Sequence, residues 1–107
     1  MIHIILRGCN GRMGQEIAKL CENNEEMGII AGVDLSERFE NSYPVFDSFQ
    51  KVREKGDVII DFSSPKGIQE MLDYSIKTKT PVVLCSTGLS EEDLALVREV
   101  SKEVAIL

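Results

Sequence analysis

Three glycines and one aspartate carry the most specific chemistry in this chain. Gly8, Gly11 and Gly14 follow the apolar run at 2–6, and a helical pattern begins directly behind them. A strand that turns through glycines into a helix is suited to hold a pyrophosphate. Glycine admits backbone angles and close approaches that other residues refuse, and the helix start presents N–H groups and the positive end of its dipole. The spacing is G-x-x-G-x-x-G rather than the commoner G-x-G-x-x-G, so the glycines alone also fit a turn that binds nothing. Asp34 separates the two readings. It closes a second apolar run at 28–33, 20 residues past Gly14, where a dinucleotide-binding fold places the carboxylate that takes the adenosine ribose hydroxyls. The competing role for Asp34 is that of a strand-end aspartate in a turn.

The elements that must position these residues read as alternating strands and helices. Met13, Ile17, Leu20 and Cys21 recur at helical spacing after the glycine turn, and Asn23-Asn24 ends that pattern. Residues 35–42 are polar and read as a loop, followed by a weak strand at 43–46 and a short helix at 47–55 that turns Phe49 and Val52 inward. The β-branched run at 57–62 suits a parallel strand buried on both faces. Ser64 as N-cap and Pro65 at the first helical position then open a helix to about Lys79, with Ile68, Met71, Leu72 and Ile76 inward. A strand at 81–85 follows. Ser90 and the acidic stretch 91–93 open a helix that buries Leu94, Val97 and Val100, and a further strand starts at Val104. This alternation, free of hairpin signals, predicts an α/β fold, a doubly wound parallel sheet of the Rossmann-like kind.

In such a fold ligands bind beyond the carboxyl ends of the strands. Besides the glycine turn and Asp34, that rim receives Phe62-Ser63 and Cys85-Ser86-Thr87. These offer hydroxyls, backbone N–H groups and an aromatic ring beside a nicotinamide. Ser64 and Ser90 read better as turn-making or capping residues.

Composition bounds the rest. At 107 residues the chain holds one domain. A net charge of −6 provides no electrostatic footprint for nucleic acid or for an anionic membrane. Cys9, Cys21 and Cys85 are odd in number and lack C-x-x-C spacing, which suggests neither a disulfide framework nor a zinc site. With no leader pattern and no long apolar run, the expected compartment is the cytoplasm.

Three segments occur in the order seen in one family: Gly11-Arg12-Met13-Gly14, Asp61-Phe62-Ser63-Ser64-Pro65-Lys66-Gly67, and Cys85-Ser86-Thr87-Gly88-Leu89. Together they resemble the N-terminal half of bacterial dihydrodipicolinate reductase, and the resemblance covers the whole chain. It implies an oxidoreductase of lysine and diaminopimelate biosynthesis, in which NADH or NADPH delivers hydride to 4-hydroxy-tetrahydrodipicolinate or its dehydrated form. Carried over by motif, the backbone of Gly8, Cys9, Asn10, Gly11, Arg12 and Met13 holds the pyrophosphate and Asp34 the ribose. Phe62 and Ser63 lie by the cofactor, and Cys85, Ser86 and Thr87 by the nicotinamide end, with Thr87 also near the substrate.

Two departures from the family bear on the cofactor. Cys85 stands where the family usually has glycine, and Leu35 follows the ribose carboxylate where some members place an arginine for the 2′-phosphate. NADH is therefore the preferred cofactor and NADPH the second, with Arg38 as the one nearby cation that could reach a phosphate. The resemblance further implies a following substrate domain with a paired-histidine and lysine motif, which this chain does not contain, and a homotetramer of the full-length enzyme. No catalytic residue is assigned here, because His3, the sole histidine, lies inside the first strand as a structural residue. Residues 1–107 thus read as the dinucleotide-binding domain of a two-domain reductase, inactive by itself. The alternative is a non-catalytic NAD(H)-sensing module, which would have no use for Phe62-Ser63 and Ser86-Thr87.

Overall fold

Successive side chains of a strand point to opposite faces of its sheet, and along the first strand Ile4, Ile5 and Leu6 are all buried. Such a strand needs cover on both sides. The computed structural model describes residues 1–35, 41–86 and 88–107, and it provides that cover. Strands β1 (Ile2–Arg7), β2 (Met27–Val33), β3 (Val45–Phe46), β4 (Val58–Asp61) and β5 (Val82–Leu84) form a parallel sheet in the order β3-β2-β1-β4-β5. Helices α1 (Arg12–Glu22), α2 (Ile68–Thr78) and α3 (Glu91–Val100) connect them. Ile106 pairs with Val82 in a single parallel bridge, extending the sheet beyond β5. The doubly wound fold read from the sequence is the fold observed.

Two apolar clusters lie on opposite sides of this sheet. Ile4, Leu6 and Cys9, with Ile17 and Cys21 of α1, form one. Ile5, Ile59 and Val82 form the other with Phe49, Ile68, Met71, Leu72 and Val100. Phe49 and Val52 are buried as expected, but the helix at 47–55 shrinks to a single 3-10 turn, Phe49–Lys51, before Val52 becomes extended. The Glu70 carboxylate explains the short turn, since it accepts the Ser48 hydroxyl at 2.9 Å and the Phe49 N–H at 2.6 Å and so fixes its start against α2.

Three other expectations change. Along α1, Met13 (49%) and Leu20 (68%) are exposed. The inward stripe is Gly14, Ile17, Ala18 and Cys21, because the helix approaches the turn before it so closely that only a glycine fits at the contact line. In α3, Leu94 stays 43% exposed; Leu96, Val97, Val100 and Val104 provide the packing. The helix expected from Pro65 starts at Ile68, and its N-cap is Gly67 in the left-handed region rather than Ser64. Pro65 instead begins a turn, its carbonyl accepting the Ile68 N–H at 3.1 Å.

These packing differences have a measurable consequence. Leu72, fully buried, is expected to cost about 2–5 kcal/mol when replaced by alanine. Leu94→Ala is expected to change stability by no more than about 0.5 kcal/mol. Chemical denaturation of both variants checks the assignment, and a larger loss at Leu94 would contradict it.

Candidate functional site

Because β2, β1, β4 and β5 are neighbours and all run the same way, their carboxyl ends form one rim. The glycine turn occupies its middle. Gly8 has φ +82°, and its N–H donates to Val33 O at 2.8 Å. A Cβ there would lie 3.0 Å from the Phe62 carbonyl carbon and from Ser63 N, so both the backbone angle and the close approach to the next loop exclude a side chain. At Gly14 a Cβ would lie 2.3 Å from Gly8 O. Helix α1 thus sits directly on the turn. Its N-cap, Gly11, donates to Gly8 O at 3.1 Å, and no side chain caps this end. Gln15 Nε2 donates to Asn10 O at 3.2 Å, holding the loop to the helix. Arg12 and Met13, the first residues of α1, are exposed. The first turn of this helix can receive an anion on its N–H groups and dipole.

Asp34 follows β2 on one side of this turn. Its Oδ2 accepts the Asn10 N–H at 3.0 Å, and its own N–H donates to Phe46 O at 2.9 Å. The glycine loop and the carboxylate are therefore one locked unit. Cys9 contributes only backbone to the rim, because its side chain is fully buried beside Ile4 and Leu6. Burial, and then the Asp34 charge, pushes the Cys9 thiol from 9.0 up to about 11. Burial, and then Cys9, likewise pushes Tyr43 up to about 12.

On the other side lies a network that neither glycines nor spacing announce. Arg7, the last residue of β1, is in register with Asp61, the last residue of β4. Arg7 Nη1 donates to Asp61 Oδ1 at 2.9 Å, with side-chain exposures of only 7% and 0%. Asp61 Oδ1 also accepts the Ser63 N–H at 2.9 Å, and Oδ2 lies 2.6 Å from the Ser86 hydroxyl. Arg7 Nη2 donates to the Lys66 carbonyl. The guanidinium lies 3.1 Å from where a Gly67 Cβ would stand, so Arg7 shapes the 64–67 turn that displaces the start of α2. The signal in the sequence is a lone arginine and a lone aspartate, each ending an apolar strand.

The remaining predicted residues distribute as follows. Phe62 is half-buried with its ring against the Ile4, Leu6 and Cys9 cluster, so it supports the turn from below rather than presenting a free ring. Ser63 and Ser86 are half-buried on the rim, and Cys85 is exposed there with its N–H on Asp61 O at 2.9 Å. Thr87 and Arg38 lie outside the described residues. His3 is in β1 as expected, but its side chain is 46% exposed and pairs with Asp57 at 3.3 Å. This pair sits at the amino end of the sheet, away from the rim. The Asp57 carboxyl is lowered chiefly by accepting the His3 backbone N–H. A groove of about 970 Å³ runs between residues 49–55 and α2 and shares no residue with the rim. Its lining mixes Arg53, Lys55 and Lys77 with Glu54 and Asp73, without a cluster of one sign. Among the described residues there is no group of His, Cys, Asp and Glu that could hold a metal ion, and no helix is long and apolar enough to cross a membrane.

Comparison with known proteins identifies the family. The model of the family described as dihydrodipicolinate reductase, N-terminus, matches residues 2–107. The chain belongs to this family. It is 45% identical over 106 residues to the 4-hydroxy-tetrahydrodipicolinate reductase of Caldanaerobacter subterraneus subsp. tengcongensis, and 41% identical to that of Clostridium botulinum. In each case 99% of this chain is covered, and it spans 42% of the relative's length. Among solved structures it is similar to the dipicolinate-bound dihydrodipicolinate reductase of Paenisporosarcina sp. TG-14, at 28% identity and a TM-score of 0.79, over 94% of this chain and 43% of that one.

The Arg7–Asp61 contact makes a sharp stability prediction. Asp61→Ala leaves a buried guanidinium without its partner and is expected to cost about 3–5 kcal/mol, while the double change Arg7→Met with Asp61→Leu restores much of the loss. Denaturant titration of both variants decides it. The cysteines give a second test. Iodoacetamide at neutral pH should modify exposed Cys85 readily and leave Cys9 untouched in the folded protein, as read by peptide mass spectrometry. Since the Cys9 thiol is raised by folding, its contribution to stability is present below pH 9.0 and is lost as pH rises towards about 11.

Proposed function

We propose that this chain holds a nicotinamide dinucleotide along the four-loop rim and serves as the cofactor-binding part of a 4-hydroxy-tetrahydrodipicolinate reductase. The observation that carries the reading is the hydrogen bond from the Asn10 N–H to Asp34 at 3.0 Å. It joins a phosphate-sized turn to a ribose-binding carboxylate in one rigid unit, which a strand-end aspartate in an idle turn would not need. The turn fits the group on one further count, since no side chain caps the start of α1 and its first N–H groups remain for an anion.

In this reading the backbone from Gly8 to Met13 binds the pyrophosphate and Asp34 binds the adenosine ribose. Phe62 and Ser63 flank the cofactor, and Cys85, Ser86 and Thr87 surround the nicotinamide, with Thr87 towards the substrate. The bound nicotinamide supplies hydride. This chain supplies binding and orientation, and the proton donor and substrate groups belong to the remaining length that the relatives have. The substrate is a cyclic dicarboxylate, the full-length enzyme a homo-oligomer, and its compartment the cytoplasm. The acidic composition favours neither nucleic acid nor membrane as a partner.

NADH is the preferred cofactor on electrostatic grounds. Asp34 accepts a free 2′-hydroxyl but repels a 2′-phosphate, and Leu35 brings no charge to offset that repulsion. Titration of the protein with NADH, NADPH and ADP-ribose tests the whole reading. NADH and ADP-ribose should bind, NADPH should bind more weakly, and Asp34→Ala should weaken NADH by about 1.5–3 kcal/mol and, because the Asn10 N–H loses its acceptor, lower thermal stability as well. A loss of a few tenths of a kcal/mol would return Asp34 to a turn-forming role.

A further inference from the structure

The groove between residues 49–55 and α2 holds charged groups that the fold itself does not use. Glu54 lines it, and its Oε2 is buried and accepts no hydrogen bond among the described residues. The neighbouring phenol does not serve that oxygen, because Tyr74 Oη donates to the Glu54 backbone carbonyl at 3.3 Å. Burial, and then the Glu54 charge, raises the Tyr74 phenol, so it stays a neutral donor beside the carboxylate. A buried acceptor without a partner costs stability, and native structures seldom keep one without a use.

Arg53, Lys55, Lys77 and Lys79 line the same groove. All four are exposed, and none forms an ion pair among the described residues. They outnumber the lining carboxylates Glu54, Glu70 and Asp73, against the balance of a chain of net charge −6. Glu70 is already engaged by Ser48 and by the Phe49 N–H. Lys77 suits the dipole at the end of α2, but Arg53 and Lys55 lie outside any helix and have no such role. Two opposite demands therefore meet in one groove. A buried carboxylate oxygen calls for an N–H donor, best a charged one, and unpaired cations call for an anion. A simple anion would face the Glu54 charge, and a simple amine would face the cations. The ligand that meets both demands is a zwitterion. We propose that this groove is a second ligand site, for an amino-acid-like zwitterion with its ammonium group on Glu54 and its carboxylate among the four cations. The half-buried Tyr74 ring offers apolar surface to its carbon chain. The site is independent of the cofactor reading, since it shares no residue with the rim.

Three compounds with the same carbon spacer separate the demands. In meso-diaminopimelate ammonium and carboxylate groups are combined, pimelate carries the carboxylates alone and cadaverine the ammonium groups alone. Calorimetric titration of the protein should show meso-diaminopimelate binding about tenfold or more tighter than the other two, the range for a hydrogen bond to a charged group. Glu54→Gln should remove its advantage over pimelate. Lys77→Gln should weaken meso-diaminopimelate by about two- to fivefold, the range for an exposed charge, and leave cadaverine unweakened. Glu54→Met, which deletes the unpartnered oxygen, should lose the ligand and raise the denaturation midpoint; a lower midpoint would assign Glu54 to the fold and overturn the inference. Equal binding of the three compounds, no binding of meso-diaminopimelate by the parent, or an unchanged affinity in Glu54→Gln overturns it as well. Titration of the same proteins with ADP-ribose keeps the two sites apart, because its failure overturns the cofactor reading and leaves the groove standing.

Discussion

Arg7 and Asp61 meet 2.9 Å apart at adjacent strand ends with almost no exposure, and two of the four rim loops take their shape from that contact. Removing two charges from water is costly, and the interior repays the cost only where every remaining lone pair and proton finds a partner. Here the partners are the loops themselves. The Ser63 N–H and the Ser86 hydroxyl bond to the carboxylate, and the Lys66 carbonyl bonds to the guanidinium. The same strand ends are joined through the backbone, by the Phe62 N–H on Arg7 O at 3.1 Å and the Cys85 N–H on Asp61 O at 2.9 Å. A pair that contributes little net stability can still fix a geometry, and the rim is where that geometry is displayed.

The other half of the rim is built from close approach rather than charge. Gly14 brings α1 onto the turn, and Gly8 brings the turn onto the Phe62-Ser63 loop, each at a distance that a single methyl group would prevent. Asp34 then crosses from β2 to take the Asn10 N–H. Burial of Cys9 under this loop keeps its thiol neutral, so the carboxylate faces no second anion from below. The halves meet at Gly8, which succeeds Arg7 in the chain and touches the loop that succeeds Asp61.

Membership in the dihydrodipicolinate reductase N-terminal family and the rim's geometry make the same demand on function. Both are compatible with the cofactor-holding role proposed above. The only histidine is engaged with Asp57 at the far end of the sheet, and the described rim residues offer serines, backbone groups and an exposed cysteine. Such a set can orient a ligand by hydrogen bonds.

Much of this was legible in the residues alone. Alternating apolar runs and helical stripes determined a doubly wound parallel sheet, and the three glycines with Asp34 marked two of the four rim loops, because these signals are local in the chain and repeat with the period of the element. Helix boundaries and faces were less legible. The start of α2 was displaced from Ser64 to Gly67 by Arg7, a residue 59 positions away from Lys66. The inward face of α1 rotated from Met13 and Leu20 to Gly14 and Ala18 because of contact with the Gly8 carbonyl. Ser86 is marked in the sequence as a rim hydroxyl and Asp61 as part of a motif, but nothing there links either to Arg7, and the three are separated by 54 and 25 positions. Only the parallel register of β1, β4 and β5 brought them together. Local periodicity determined which elements form, and long-range pairing decided what their ends do to one another, since a buried charge is satisfied by whatever the fold places beside it.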